Sequence, residues 1–335
     1  MKKTAVILLA AVVFVVAALS GCAKDSGNSE SKTSAESKKI KIVTTIFPEY
    51  DWVTQILGSK ADQAEVTMLL DNGVDLHSYQ PTTEDIAKVK SCDLFIYVGG
   101  ESDEWVSKAL KDSTNKKMKV INLLDVLGDS VKEEESKEGM MPEKEEEEDG
   151  SDEPEYDEHV WLSLKNAKVL TKAVAKEIEA LDPENANTYG KNEAEYLRQL
   201  SALDEKYKKA VRRSAGKTLV VGDRFPFRYM VDDYGLEYYA AFAGCSAETE
   251  ASFKTISFLA KKVDKLKLKN IATIEGSDRK IARTIIKNTG KKSQHIVTLD
   301  SMQSTTSEDV EKGKTYLGVM TANLGVLKKA LQREE

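Results

Sequence analysis

Histidine and cysteine are scarce in this sequence, with three of each among 335 residues, and proline occurs only six times. So few cysteines exclude a disulfide-built scaffold. There is no basic excess either: the formal net charge is −7, which argues against nucleic acid as a partner. Phosphate-cradling glycine loops, nucleophile–base pairs and cofactor fingerprints are all missing, so nothing here asks for an enzyme. The one long apolar run, Ala5 to Ala18, is too short for a confident membrane span.

That run has another use. Lys2 and Lys3 precede it and Leu19-Ser20-Gly21-Cys22 closes it, which resembles a bacterial lipobox. The resemblance implies residues 1–21 as a lipoprotein signal peptide and a lipid (palmitate among its acyl chains) on Cys22. Acyl chains contribute roughly 0.8 kcal/mol per buried methylene to such an anchor. The expected location is the extracytoplasmic face of a bacterial cell membrane. Residues 22–39 are rich in Ser, Lys, Glu and Asn and read as a disordered tether. Cys92 and Cys245 read as two free small residues in different lobes, with a bond between them the alternative.

From Ile40 onward, β-branched runs alternate with helical patterns, the signature of parallel α/β sheets. Asn166 to Leu181 is helical, and Asp182-Pro183 breaks it and restarts a longer helix to about Arg213. Leu197, Leu200, Leu203 and Tyr207 form its stripe at spacings of three and four. A helix of that length exceeds the need of one small lobe, so it reads as a strut. The expected organisation is an α/β lobe over 40–182, an interlobe helix over 183–214 and a second α/β lobe over 215–335. Between Glu133 and Glu158 fifteen acidic residues stand against Lys137 and Lys144. Residues 133–155 carry almost no apolar side chains and read as a mobile surface loop, either a cation funnel or a solvated insertion.

His77 and His159 fall in polar loops after strands, and neutral imidazole is the commonest side-chain ligand for zinc and related metals. In an open parallel sheet, ligands bind beyond the strand carboxyl ends. His295 starts a strand and lies at the wrong edge. Glu275 ends a strand at the right edge and is a reserve candidate.

The flanking residues add a family resemblance. His77-Ser78-Tyr79-Gln80-Pro81 and Asp157-Glu158-His159-Val160-Trp161-Leu162 resemble the first and second ligand motifs of zinc and manganese solute-binding lipoproteins of ABC importers, the cluster A-I family. Asp182-Pro183-Glu184-Asn185-Ala186 with Tyr189 and Asn192 resembles the start of that family's interlobe helix. Tyr229 with Tyr234-Gly235-Leu236 resembles the segment after its third ligand. The resemblance runs from about Ile40 to Leu331. It implies a metal site in the cleft between two lobes, limited hinge motion, a divalent metal as cargo (zinc first, manganese second), and a membrane permease and ATPase as partners of a monomeric receptor. It implies Asp300, after the strand Ile296 to Leu299, as the last ligand.

One position departs from the pattern. Where the family has a histidine or glutamate, this chain has Arg224, which cannot ligate a cation. Asp223 could turn inward instead. Water or a residue from another loop could complete the shell, or Arg224 could pair with a carboxylate and leave fewer ligands; these two are preferred over Asp223. The rival functions are a surface adhesin or interaction lipoprotein and a metallohydrolase.

Overall fold

Parallel strands buried on both faces are written as short apolar runs, and here eight of them sort into two sheets. The computed structural model describes residues 39–141, 155–246 and 250–334. The signal peptide, Cys22 and most of the tether lie outside these, as does the middle of the acidic stretch. Among the described residues no helix is long and apolar enough to cross a membrane.

The first lobe runs β1 (Ile40–Thr44), α1 (Phe47–Leu57), β2 (Ala64–Met68), α2 (Thr83–Ser91), β3 (Leu94–Tyr97), α3 (Trp105–Lys111), β4 (Lys119–Asn122) and the short α4 (Leu123–Leu127). Pro48 is part of α1. It sits in that helix's first turn, where its missing N–H costs nothing. Thr82 caps α2 in a reciprocal box with Asp85. After α5 (Leu164–Leu181) and α6 (Ala186–Arg213), the second lobe runs β5 (Thr218–Arg224), α7 (Arg228–Tyr234), β6 (Glu237–Phe242), α8 (Phe253–Lys265), β7 (Asn270–Ile274), α9 (Lys280–Asn288) and β8 (His295–Leu299). The short α10 (Ser307–Glu311), not foreseen, and α11 (Tyr316–Ala330) close it.

The strand orders are β2-β1-β3-β4 and β6-β5-β7-β8, with all pairs parallel. The two sheets therefore share one permutation, although no residue-level repeat marks it. Each reverses direction of growth at its first strand, so the crevices beyond β1/β3 and β5/β7 are the natural ligand positions.

The 28 residues of α6 make it about 42 Å long at 1.5 Å per residue. It holds to both lobes. Tyr196 Oη donates to Asp51 on α1 at 3.1 Å, and Tyr207 Oη donates to the Met320 carbonyl on α11 at 2.6 Å. One apolar cluster continues from Ile42 and Trp52 through Leu170 and Leu200 to Tyr316 and Leu327. A smaller one, with Leu259, Ile271 and Ile285, lies under α8 and α9. A core shared across both lobes resists their wide separation, because opening would expose it.

The acidic stretch corrects its sequence reading. Residues 133–141 are placed against the second lobe rather than left as a loop in solvent. Glu133 bridges Tyr156, and Glu134 N donates to the Glu155 carbonyl at 2.8 Å. Glu135 accepts from Tyr238 Oη at 3.2 Å and pairs with Arg228 at 3.1 Å. Met141 N donates to the Ala241 carbonyl of β6 at 2.9 Å. Carboxylates that read as a solvated run are anchored by partners about a hundred residues away.

Candidate metal centre

The loop after β2 turns at Leu76–Ser78, and Asp75 caps that turn by accepting from His77 N at 3.1 Å. The segment 157–159 is pinned more tightly. Asp157 N donates to the Lys132 carbonyl at 2.9 Å. Tyr229 Oη of α7 donates to the Asp157 carbonyl at 2.7 Å and accepts from Lys132 N at 3.0 Å. Trp161, fully buried, donates from Nε1 to the Ser301 carbonyl in the second lobe at 2.9 Å. Both histidines are thus fixed by backbone before any ligand arrives.

Their Nε2 atoms face one another at 3.1 Å. His159, with no exposed surface, donates from Nδ1 to Asp157 Oδ1 at 3.0 Å, which leaves its Nε2 as a bare lone pair. His77 Nδ1 lies 2.8 Å from Ser102 Oγ and 3.5 Å from Glu158 Oε2. The Ser102 hydroxyl can donate or accept, so His77 can carry its proton on either nitrogen. Without metal, Nε2–H of His77 donates to His159. With the proton on Nδ1, held by Ser102 and Glu158, both Nε2 lone pairs converge on one point. Two nitrogens bound to one tetrahedral zinc at about 2.0–2.1 Å lie about 3.3 Å apart. The observed spacing is within a few tenths of that.

Electrostatics treats the two rings differently. Burial, the neighbouring His159 and Arg224 push the His77 pKa down to about 3, against the pull of Asp75, so this ring is neutral. Burial also acts to lower His159, but the Asp157 and Glu134 carboxylates outweigh it and the net direction is up. Burial lifts Glu158 to about 7, opposed by its hydrogen bonds from Ser102. Ser102 N donates to Glu158 Oε1 at 2.9 Å. A Cβ on Gly100, at φ +78°, would stand 2.4 Å from that same oxygen.

The other expected residues are placed elsewhere. Arg224, at the end of β5, forms an ion pair with Asp75 Oδ2 and so reaches across the cleft to the loop of His77. Pairing with a carboxylate is one of the alternatives the sequence leaves open for it. Asp223 caps the Arg224 backbone at 3.0 Å and, with Glu275, Arg224 and Asp75, lines a cavity of about 440 Å³. Glu275 clamps the next loop, accepting from Ser301 N and Oγ at 2.6 Å and from Gln303 N at 3.2 Å. Asp300 pairs with Lys314 at 3.0 Å and caps Met302 N at 2.8 Å. None of the three carboxylates joins the histidine nitrogens.

A thiol does. The ligand atoms of His77, His159 and Cys245 lie within 4.8 Å of one another. From the sequence, Cys245 reads only as a free small residue, with a bond to Cys92 the alternative. A signal was present in the neighbouring Gly244. Its ideal Cβ would stand 3.2 Å from His159 Cε1, so a side chain there would crowd the ring. Cys245 and Cys92 are both free thiols. Cys92 is fully buried against Val89 and Met118, apart from this centre.

Comparison with known proteins gives a consistent result. The profile of the family described as "Zinc-uptake complex component A periplasmic" (ZnuA) matches residues 42–330. The zinc-binding lipoprotein AdcA of Streptococcus pneumoniae serotype 4 (strain ATCC BAA-334 / TIGR4) is 32% identical over 302 residues, covering 88% of this chain and 56% of AdcA. The chain therefore spans about half the length of that relative. The high-affinity zinc uptake system protein ZnuA of Bacillus subtilis (strain 168) is 31% identical over 324 residues, covering 95% and 97% of the two chains. The crystal structure of the Zn(II)-bound ZnuA-like domain of the pneumococcal AdcA superposes with a TM-score of 0.68 at 30% identity, covering 88% of this chain and all of that domain.

Proposed function

The chain belongs to the family of the zinc-uptake complex component A (ZnuA), and on that premise we propose that it is an extracytoplasmic receptor. It captures a divalent transition metal, zinc before manganese, and hands it to the permease and ATPase of an ABC importer. A lipid on Cys22 holds it to the outer face of the membrane, and a single copy suffices for the cycle.

The observation that carries the reading is the facing pair of imidazole nitrogens, His77 and His159, at 3.1 Å. Two neutral imidazoles suit zinc better than manganese, which prefers oxygen. Members of the family are binding proteins and not enzymes, so the metallohydrolase is set aside. Asp300, expected as the last ligand, and the reserves Asp223 and Glu275 would have to leave their present partners to take part.

The experiment is dialysis of the full-length chain against single metals, followed by elemental analysis. One zinc per chain is expected, lost in His77→Ala and in His159→Ala. A wild-type chain without stoichiometric metal sinks the receptor and leaves the adhesin.

A further inference from the structure

Arg224 fills the place of a ligand, yet the strand beside it delivers one. β5 and β6 run parallel, with Arg224 opposite Phe242 at their carboxyl ends. Three residues beyond Phe242 comes Cys245. We infer that Cys245 completes the centre as its third ligand, bound as the thiolate. This rests on the metal-receptor reading and goes beyond it by naming the ligand that sets the choice of metal.

Three independent observations aim the thiol at the histidines. Its sulfur lies within 4.8 Å of both ring nitrogens. Zinc with one nitrogen at about 2.05 Å and one sulfur at about 2.3 Å, tetrahedrally arranged, holds them about 3.6 Å apart. The remaining gap is small enough for side-chain rotation and a slight shift of the loop. Next, the glycine at 244 lets the backbone come up against the His159 ring. Last, Glu134 Oε1 accepts from Cys245 N at 3.0 Å, so Glu134 of the acidic stretch fixes this loop as well. Arg224 cannot intrude, since Asp75 holds it.

The chemistry is simple. The divalent ion displaces the thiol proton to solvent, a metal–sulfur bond forms, and no oxidant or reductant is consumed. Two imidazoles and a thiolate make a set suited to zinc and other thiophilic ions and poorly suited to manganese. The fourth position stays open to water, which suits a cargo that must leave again by ligand exchange.

Cobalt(II) is the probe. The wild-type chain loaded with one cobalt should show a thiolate-to-cobalt charge-transfer band in the near ultraviolet, and Cys245→Ser should lack it. Cys245→Ala should bind zinc at least about 10–100-fold more weakly, since that is the loss seen when a residue that only orients a ligand is removed. Cys245→Asp should recover binding while narrowing the preference for zinc over manganese. Thermal unfolding of the metal-free variants separates a lost ligand from a lost fold. Stoichiometric cobalt without the band, together with wild-type zinc affinity in Cys245→Ala, overturns the inference and leaves the receptor standing. No metal bound by the wild-type chain overturns both.

Discussion

Arg224 and Asp75 form an ion pair across the cleft, and the second oxygen of Asp75 holds the backbone N–H of His77. Burial would lift Asp75, but the Arg224 charge and hydrogen bond hold its pKa below the usual carboxylate range. The second lobe thus positions the first histidine without touching the metal. In place of a ligand that would close the cleft only around an ion, this chain carries a tie that closes it beforehand.

Arg224→Ala should therefore loosen the metal-free protein. Leaving Asp75 without its partner, half out of water, costs about 1–3 kcal/mol. Denaturant unfolding in the presence of a chelator would measure it. Small-angle scattering should also show compaction on adding zinc to the variant and little change in the wild type. Equal compaction in both would sink the idea of a preset cleft.

Much of this was legible in the sequence. Parallel strands are nearly continuous apolar runs, so β1, β3, β5 and β7 announce themselves, and the stripe on α6 fixes the strut. The histidines stood out through the motifs around them: Asp157 holds His159, Trp161 ties the same segment to Ser301, and Asp75 holds the turn carrying His77. What stayed hidden depends on pairings distant in sequence. Cys245 meets His77 only because β6 lies beside β5. Glu134 and Glu135 look like part of a solvated run until Cys245, Arg228 and Tyr238 are brought to them. Asp300 has the right strand end, but Lys314 takes up its charge.

Asp157→Asn tests the tautomer at His159. The carboxylate fixes the proton on Nδ1 and raises the basicity of the opposite nitrogen. An amide keeps the shape and loses the charge, so zinc affinity should fall about 10–100-fold with the fold intact. Competition against a chromophoric chelator gives the number. Unchanged affinity would mean that the Asp157 charge does not tune His159.

Gly100→Ala tests the support of His77. The residue has φ +78°, and a new Cβ would collide with the Glu158 carboxylate. Backbone strain alone should cost about 1–3 kcal/mol. Displacing Glu158 removes one of the two groups, with Ser102, that hold His77 Nδ1, so zinc binding should weaken more than in a surface control of equal instability. Loss of stability with wild-type zinc affinity would show that Glu158 plays no part in holding that ring.

The metal-free chain should lose stability as pH rises above neutrality. Burial lifts Glu49 to about 8 and Glu158 to about 7, while hydrogen bonds from Thr45 and Ile46 and from Ser102 work against it. Asp51 and Asp103 are lifted by burial to about 6. In the unfolded chain such groups titrate near about 4. The folded chain therefore holds more protons than the unfolded one through this window, and stability falls as pH climbs through the folded values. His77, held down to about 3, acts the other way, but only below the pKa of a free imidazole. From about pH 6.5 to 8.5 the carboxyls decide the slope, with the raised His159 adding in the same direction. Melting temperature in chelator should drop over that interval. Glu49→Gln, which copies the protonated acid, should flatten the drop. A melting temperature that rises toward pH 8.5 would show that these carboxyls are ionised in the folded state despite their burial.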